Sequence, residues 1–232
     1  MEEYFEVLRT CPLFCGIDDR DLAAVLGCLR AKTVGFCKKE TVLAEGRPAD
    51  CIGIVLSGRV QIVRIDYFGN RSIVSSAGPP ELFGESFACA GVKLMPVDVV
   101  AAEDTRVLMA DCRRILGSCS QSCGFHRQLV FNLMRVVAGK NLIFHQKLEI
   151  LSRRSTKEKL MTYLLQQAKE QGSSSFTIPY NRQELADYLE VDRSGLSAEI
   201  GRLKKMGVIE ADKSRFKVIS RPARFPPFVE NP

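Results

Sequence analysis

The spacing of hydrophobic residues divides the chain into three regions with different predicted structure. In residues 1–118, two short helical patterns, at 4–8 and 18–29, precede short alternating runs that glycine-bearing turns separate. Runs of this kind predict antiparallel strands in a sandwich or roll. The predicted strands are 41–44, 52–56, 60–65, 72–75, 97–101 and 106–109. We therefore expect an effector domain in residues 1–118, because compact β units of this size commonly border a ligand pocket.

The second region, residues 119–152, is predicted to be one long helix because its apolar residues recur in steps of three and four. The apolar stripe comprises Phe125, Leu129, Leu133, Val136, Val137, Ile143, Phe144, Leu148 and Leu151. Thirty helical residues span about 45 Å, more than one small domain covers. We expect the stripe to pack on a second subunit, which makes 119–152 a dimerisation helix. The alternative is a helix kinked at Gly139 and packed on its own β unit.

The third region, residues 153–220, has the pattern of a winged helix-turn-helix domain. Asn181 and Glu184 have the spacing of a capping box at the start of one helix, and Asp192 can cap the next. A three-residue turn joins these helices, and a basic hairpin follows them. Residues 221–232 contain four prolines and are predicted to form an irregular tail. The predicted fold is α+β: an N-terminal β-roll of the double-stranded β-helix or jelly-roll type, a long helix and a winged helix-turn-helix.

Composition agrees with a globular chain, since 46% of residues are hydrophobic and 26% are charged. No apolar run approaches the roughly 20 residues of a membrane-spanning helix, and the chain begins with acidic residues rather than a cationic leader. We therefore expect a cytoplasmic protein without a membrane segment. Its nine cysteines are then expected to be thiols rather than a disulfide framework.

The positive charge is concentrated at one end of the chain. Residues 1–152 hold 18 Lys/Arg and 17 Asp/Glu, whereas residues 153–232 hold 15 and 10. A basic final third indicates contact with a polyanion such as double-stranded DNA. From charge alone, a solvated surface with surplus lysine is an equal alternative.

The predicted second helix of the helix-turn-helix carries the candidate base contacts. Arg193 can donate two hydrogen bonds to guanine in the major groove, and Ser194 or Ser197 can contact bases or phosphates. Basic side chains on the flanking helix and the hairpin are candidates for phosphate contacts. The full candidate set is Arg182, Gln183, Arg193, Ser194, Ser197, Arg202, Lys213 and Arg215.

Local motifs resemble those of the CRP/FNR family of bacterial transcription regulators, over roughly residues 10–220. The matching residues are Leu13-Phe14, Leu56-Ser57-Gly58-Arg59-Val60, Leu82-Phe83-Gly84-Glu85, Asn181-Arg182-Gln183-Glu184-Leu185-Ala186 and Asp192-Arg193-Ser194. The resemblance implies a homodimer whose effector domains orient two DNA-binding domains on an inverted repeat near a promoter. It also implies that the residue at Arg193 contacts DNA, and that an activator of this type would contact RNA polymerase. The family often has a further arginine where Ala198 stands, which leaves the base preference open.

From the same resemblance, we expect that the effector is not cyclic AMP. Gly84-Glu85 matches one nucleotide-binding motif of the family, but the arginine that neutralises the cyclic phosphate is absent at Met95-Pro96-Val97. A buried phosphate without a cationic partner is strongly unfavourable. Lys93 could supply charge to another anion. The candidate effector pocket comprises Phe83, Gly84, Glu85, Ser86, Lys93, Met95 and Val97.

The cysteines give a second hypothesis for sensing. Cys119 and Cys123 would share one helical face with His126, and Cys112 is nearby in sequence, which is a candidate soft-metal or redox site. The alternative is that these cysteines are small buried hydrophobes, and we expect no metal because no CxxC pair occurs. We also expect no enzyme, since no nucleophile has an orienting group and an oxyanion hole.

Overall fold

The computed structural model describes residues 4–117 and 124–219. These residues form two compact units, and the boundary between Leu142 and Ile143 falls inside the long helix. The helices are α1 (Phe5–Arg9), a 3-10 helix (Pro12–Phe14), α2 (Asp19–Cys28), α3 (Glu85–Cys89), α4 (Cys112–Leu116), α5 (His126–Leu151), α6 (Thr156–Glu170), α7 (Arg182–Leu189) and α8 (Arg193–Lys205). None of the helices in these two ranges has the length and apolar character needed to cross a membrane.

Two four-stranded antiparallel sheets form the β part of the first unit, with strand orders β1-β8-β3-β6 and β2-β7-β4-β5. The strands are β1 (Lys32–Phe36), β2 (Thr41–Leu43), β3 (Cys51–Ser57), β4 (Val60–Ile65), β5 (Arg71–Ala77), β6 (Leu82–Phe83), β7 (Asp98–Ala101) and β8 (Thr105–Asp111). The predicted strand set lacked β1 and β6. Most of β1 is exposed or half-buried and β6 has two residues, so neither shows a clear alternation. The predicted α+β fold is confirmed.

Side chains of β3 point alternately into two apolar cores. Ile52 and Ile54 join the core that includes α1 and α2, whereas Val55 joins the core between the two sheets. This period of two places the first sheet between both cores and explains why β3 is apolar almost throughout. Gly53 lies under the ring of Phe83, because a Cβ at Gly53 would be 2.0 Å from Phe83 Cζ. Only glycine leaves room for that ring.

The long helix α5 has apolar side chains on more than one face, and the sequence prediction was wrong in placing Leu129 and Leu133 at a subunit interface. Leu129 and Leu133 are 1% and 2% exposed because they pack in the core of their own unit, with Val136 and Val137 partly buried beside them. These residues therefore do not form a surface for a second subunit. Other apolar side chains on α5 are exposed: Val130, Phe131, Met134, Leu142, Ile143, Phe144 and Leu148. At 100° per residue Phe131, Met134 and Leu142 lie on the side of the helix away from Leu129 and Leu133, and we call these three residues the exposed stripe.

The second unit contains α6, α7 and α8 with a three-stranded antiparallel sheet of order β10-β11-β9. Its strands are β9 (Ser175–Thr177), β10 (Ile209–Asp212) and β11 (Arg215–Val218). The helical pair and the hairpin of β10 and β11 confirm the predicted winged helix-turn-helix. A Ser155 capping box starts α6, in which Ser155 accepts from the Glu158 amide and Glu158 accepts from the Ser155 amide.

Candidate functional site

Side-chain caps fix the start of both helices of the helix-turn-helix, as the sequence predicts. Asn181 Oδ1 accepts from the backbone amides of Gln183 and Glu184 at 2.9 and 3.0 Å, and Glu184 Oε2 accepts from the Asn181 amide at 2.8 Å. Asp192 Oδ2 accepts from the Gly195 amide at 2.9 Å and from the Ser194 hydroxyl. These bonds satisfy amides that the first helical turn leaves unpaired.

A small apolar core sits behind the two helices and fixes their crossing. Its buried side chains include Leu185, Ala186, Leu189, Leu196, Ile200 and Leu203. Val191, in the turn between the two helices, is half-buried. Since one face of α8 is held in this core, its opposite face is presented to solvent.

The solvent face of α8 gathers the predicted base-contacting residues in its first two turns. Arg193, Ser194, Ser197 and Ala198 are all exposed. An α-helix that presents one face to solvent in this way fits the major groove of B-DNA, which is about 12 Å wide. The arrangement can therefore place one guanidinium and two hydroxyls against base edges.

Three other predicted contacts already have partners within the second unit. Gln183 Nε2 donates to Asp187 Oδ1 at 2.8 Å, and Arg202 Nη1 lies 2.6 Å from Oε2 of the buried Glu199. The Arg182 guanidinium lies 5.7 Å from the centre of the Phe216 ring, and its burial lowers the pKa of Arg182. These contacts hold the three side chains against other residues of the second unit.

The wing carries exposed positive charge at its tip. Lys213 has a positive φ of 49° in the turn between β10 and β11, and Arg215 follows it. Both side chains are exposed. Lys204 Nζ, near the end of α8, donates to the Ala211 carbonyl at 3.0 Å. This bond joins α8, the candidate recognition helix, to the wing.

Lys159 is a positioning residue that the sequence analysis did not identify. Its Nζ donates to the carbonyls of Leu189 and Glu190 at 3.2 and 3.3 Å, where α7 ends. Glu190 has a left-handed backbone, with φ of 52°. A cation at a helix C-terminus satisfies the free carbonyls and interacts favourably with the helix dipole.

Three of the seven candidate effector-pocket residues are part of the apolar core between the sheets. Phe83, Met95 and Val97 are 0%, 2% and 7% exposed and belong to that core, whereas Lys93 is exposed. The Lys93 side chain therefore lies outside that core. Gly84 has a φ of 79° and is the N-cap residue just before α3, and Ser86 donates to Glu85 Oε1 at 3.0 Å.

Glu85 is buried and paired with a lysine from the long helix. Lys140 Nζ lies 2.9 Å from Glu85 Oε1 and also donates to the Leu82 carbonyl. Glu85 Oε2 is buried and, among the described residues, has no hydrogen-bond partner. Lys140 follows the buried face of α5 at helical spacing from Leu133 and Val136, which is the sequence signal that could have found it.

The candidate metal or redox site is only partly described. Cys119 and Cys123 lie outside the described residues, and within 4–117 and 124–219 no group of three His, Cys, Asp or Glu side chains could hold a metal ion. Cys112 instead contacts Cys89, with the two Sγ atoms 3.7 Å apart. Burial raises the pKa of the Cys112 thiol to about 12 and also raises that of Cys89, so both stay protonated near neutral pH.

Comparisons with known families agree with the two-unit organisation. Residues 33–121 match the family model of the cyclic nucleotide-binding domain, and residues 158–223 match that of the Crp-like helix-turn-helix domain.

Two curated relatives illustrate the similarity. A CRP-like cAMP-activated global transcriptional regulator of Mycobacterium tuberculosis is 35% identical over 80 residues, which are 34% of this chain and 35% of that protein. The chain thus spans about a third of the length of that relative. The transcriptional activator protein FnrA of Stutzerimonas stutzeri is 24% identical over 187 residues, 78% of this chain and 74% of FnrA.

Solved structures share the fold. The c-di-GMP responsive global regulator CLP of Xanthomonas campestris has a TM-score of 0.72 at 17% identity, covering 88% of this chain and 100% of CLP. FixK2 of Bradyrhizobium japonicum has a TM-score of 0.67 at 20% identity, covering 82% of this chain and 93% of FixK2.

Proposed function

Since this chain belongs to the CRP/FNR family of bacterial transcription regulators, we propose that it acts as a homodimer that binds an inverted repeat in double-stranded DNA and regulates a nearby promoter. The observation that carries the proposal is the exposed surface of the first two turns of α8, where Arg193, Ser194 and Ser197 follow the Asp192 cap. The function is regulation of transcription rather than catalysis. An activator of this kind would also contact RNA polymerase.

We assign base contact to α8 and phosphate contact to its surroundings. Arg193 donates two hydrogen bonds to a guanine, because its guanidinium is exposed where the helix enters the groove. Lys213 and Arg215 on the wing neutralise phosphates. Arg182, Gln183 and Arg202 are supporting candidates, since each already has a partner in its own unit.

The dimer is proposed to form through the exposed stripe of α5 rather than through its buried face. Phe131 and Met134 are 48% and 61% exposed, which is unusual for large apolar side chains on one helix face. A twin helix from a second copy would bury the stripe as in a coiled coil. Two recognition helices in such a dimer would read half-sites about one helical turn, or 34 Å, apart.

The β-roll is proposed to be the sensing domain, with an effector other than cyclic AMP. The loop at Met95-Pro96-Val97 supplies no cation, and Met95 and Val97 fill the core between the sheets. The carboxylate of Glu85 is paired with Lys140. An anionic ligand placed beside that carboxylate would meet a negative charge whose cation, Lys140, is already engaged.

A thiol sensor acting through the same DNA-binding domain is the second candidate. The contact between Cys89 and Cys112 favours it, because two thiols 3.7 Å apart can be joined with little movement. Their raised pKa values oppose it, since the thiolate is the reactive form.

The decisive experiment is selection of binding sites from random DNA with the full-length chain. We expect an inverted repeat for the wild type. Arg193→Ala should lose about 1–3 kcal/mol at the selected site and lose discrimination at one position per half-site. The matched control is Lys213→Ala, which should weaken binding to all sequences and reduce the salt slope by about one unit. Recovery of no repeat by the wild type, or an unchanged motif and affinity with Arg193→Ala, would contradict the proposal.

A further inference from the structure

The cap of the recognition helix also fixes the hydrogen-bonding character of a residue on its DNA-facing side. The Ser194 hydroxyl donates to Oδ2 of Asp192, and the same oxygen accepts from the Gly195 amide at 2.9 Å. These bonds, the one from Ser194 most of all, lower the pKa of the Asp192 carboxyl below its usual value. Asp192 is therefore ionised at neutral pH and can only accept, so Ser194 must be the donor.

A serine whose hydroxyl proton is engaged in this way presents only acceptor lone pairs to its surroundings. A hydroxyl has one donor proton and two acceptor lone pairs. With the proton held by Asp192, the exposed Ser194 Oγ offers only lone pairs toward a ligand. In the major groove, adenine N6 and cytosine N4 carry amino donors, whereas guanine and thymine present acceptors at O6, N7 and O4.

We propose that Asp192 is a positioning residue that sets base preference through Ser194: by holding the hydroxyl as an acceptor, it makes one position of each half-site favour adenine or cytosine. The inference rests on the proposed function, because it requires the first turn of α8 to lie in the major groove. It goes beyond that function, since it assigns a base class to a serine and gives a cap residue a part in specificity.

The test is site selection from random DNA, followed by competition binding at one salt concentration, with the full-length wild type and single variants. Ser194→Ala identifies the position that Ser194 reads. At that position the wild type should prefer adenine or cytosine by about two- to tenfold, the effect of one hydrogen bond.

Two substitutions at Asp192 then separate specificity from helix capping. Asp192→Gly keeps a residue that helix N-termini tolerate but removes the acceptor, so the Ser194 hydroxyl can rotate and also donate. The preference of Asp192→Gly for adenine or cytosine at the position that Ser194 reads should fall below about twofold. The base preferences at the other positions should be unchanged. Asp192→Asn keeps an acceptor oxygen and should retain the wild-type preference.

A double variant tests whether Asp192 acts through Ser194. Asp192→Gly combined with Ser194→Ala should give the same base profile as Ser194→Ala alone. A wild-type preference for guanine or thymine at the mapped position would overturn the inference even if Asp192→Gly did not fold. So would an unchanged profile with Asp192→Gly or with Ser194→Ala. If the wild type selects no motif at all, the proposed function fails; if it selects a motif that these variants leave unchanged, only this inference fails.

Discussion

Lys140 Nζ on the long helix lies 2.9 Å from Oε1 of Glu85, a carboxylate whose side chain is 2% exposed. The same ammonium donates to the carbonyl of Leu82, the first residue of the short strand that leads into α3. One lysine therefore fastens α5 to the turn at which α3 begins. Removal of this cation would be strongly destabilising, because a buried carboxylate without a paired charge is costly.

Removal of the lysine charge should destabilise the first unit. Lys140→Met leaves Glu85 buried and unpaired, and we expect a loss of about 3 kcal/mol in the free energy of unfolding, measured with urea. Glu85→Gln in the Lys140→Met background should recover part of that loss, since it removes the unpaired charge. Arg135→Met is the control, because Arg135 is an exposed cation on the same helix, and it should change stability by less than about 0.5 kcal/mol. Equal effects of Lys140→Met and Arg135→Met would show that the pair contributes little.

The C-terminal end of α7 should depend on Lys159. Lys159→Met removes two hydrogen bonds to the carbonyls of Leu189 and Glu190, and we expect a loss of about 1 kcal/mol, seen as a lower Tm in thermal unfolding. Lys157→Met is the matched control, since Lys157 is exposed on the same helix. A Tm equal to that of the control would remove the assigned capping role.

Local signals made the helix-turn-helix predictable from sequence. Asn181, Glu184 and Asp192 act on amides within three residues, so their spacing alone predicts where α7 and α8 begin. The pair of Glu85 and Lys140 was not predictable in this way, because 55 positions separate its members and only the fold brings them together.

The long helix shows a different limit of sequence reasoning. Periodicity predicts that α5 is helical, but α5 has apolar residues on opposite faces, and periodicity does not say which face its own domain covers. Leu129 and Leu133 are buried in their own unit, whereas Phe131 and Met134 are exposed. The choice depends on the core formed by α1, α2 and the first sheet, which is distant in sequence.

The thiols of the first unit should differ in reactivity according to their burial. Burial raises the pKa of Cys112 to about 12 and raises that of Cys89, whereas Cys15 and Cys37 are exposed. At pH 7.5, iodoacetamide should therefore label Cys15 and Cys37 well before Cys89 and Cys112, as followed by mass spectrometry of the native protein. Fast labelling of Cys112 in folded protein would contradict the burial and favour the thiol-sensor alternative.

The Asp192 carboxyl should titrate below its usual range because Ser194 and Gly195 donate to it. Its folded pKa is lower than its unfolded value, so the stabilisation it gives is present above pH about 4 and is lost as pH falls through the folded pKa. A carbon-detected NMR titration should show the low pKa in the wild type and a higher one in Ser194→Ala. Ser197→Ala is the control and should leave the titration unchanged. An Asp192 pKa that does not respond to Ser194→Ala would contradict the hydrogen bond.

Dimerisation should depend on the exposed stripe and not on the buried face of α5. Phe131→Glu combined with Met134→Glu places two charges on exposed positions, so each subunit should stay folded while sedimentation at micromolar concentration shows monomers. Leu133→Glu instead forces a charge into the core that α1 and α2 share with the helix, and it should unfold the first unit, with loss of near-UV circular dichroism. The different outcomes of these two variants distinguish interface residues from core residues. If the double variant remains a dimer, or if Leu133→Glu is folded and monomeric, the result would contradict this interface and place it on the other face of the helix.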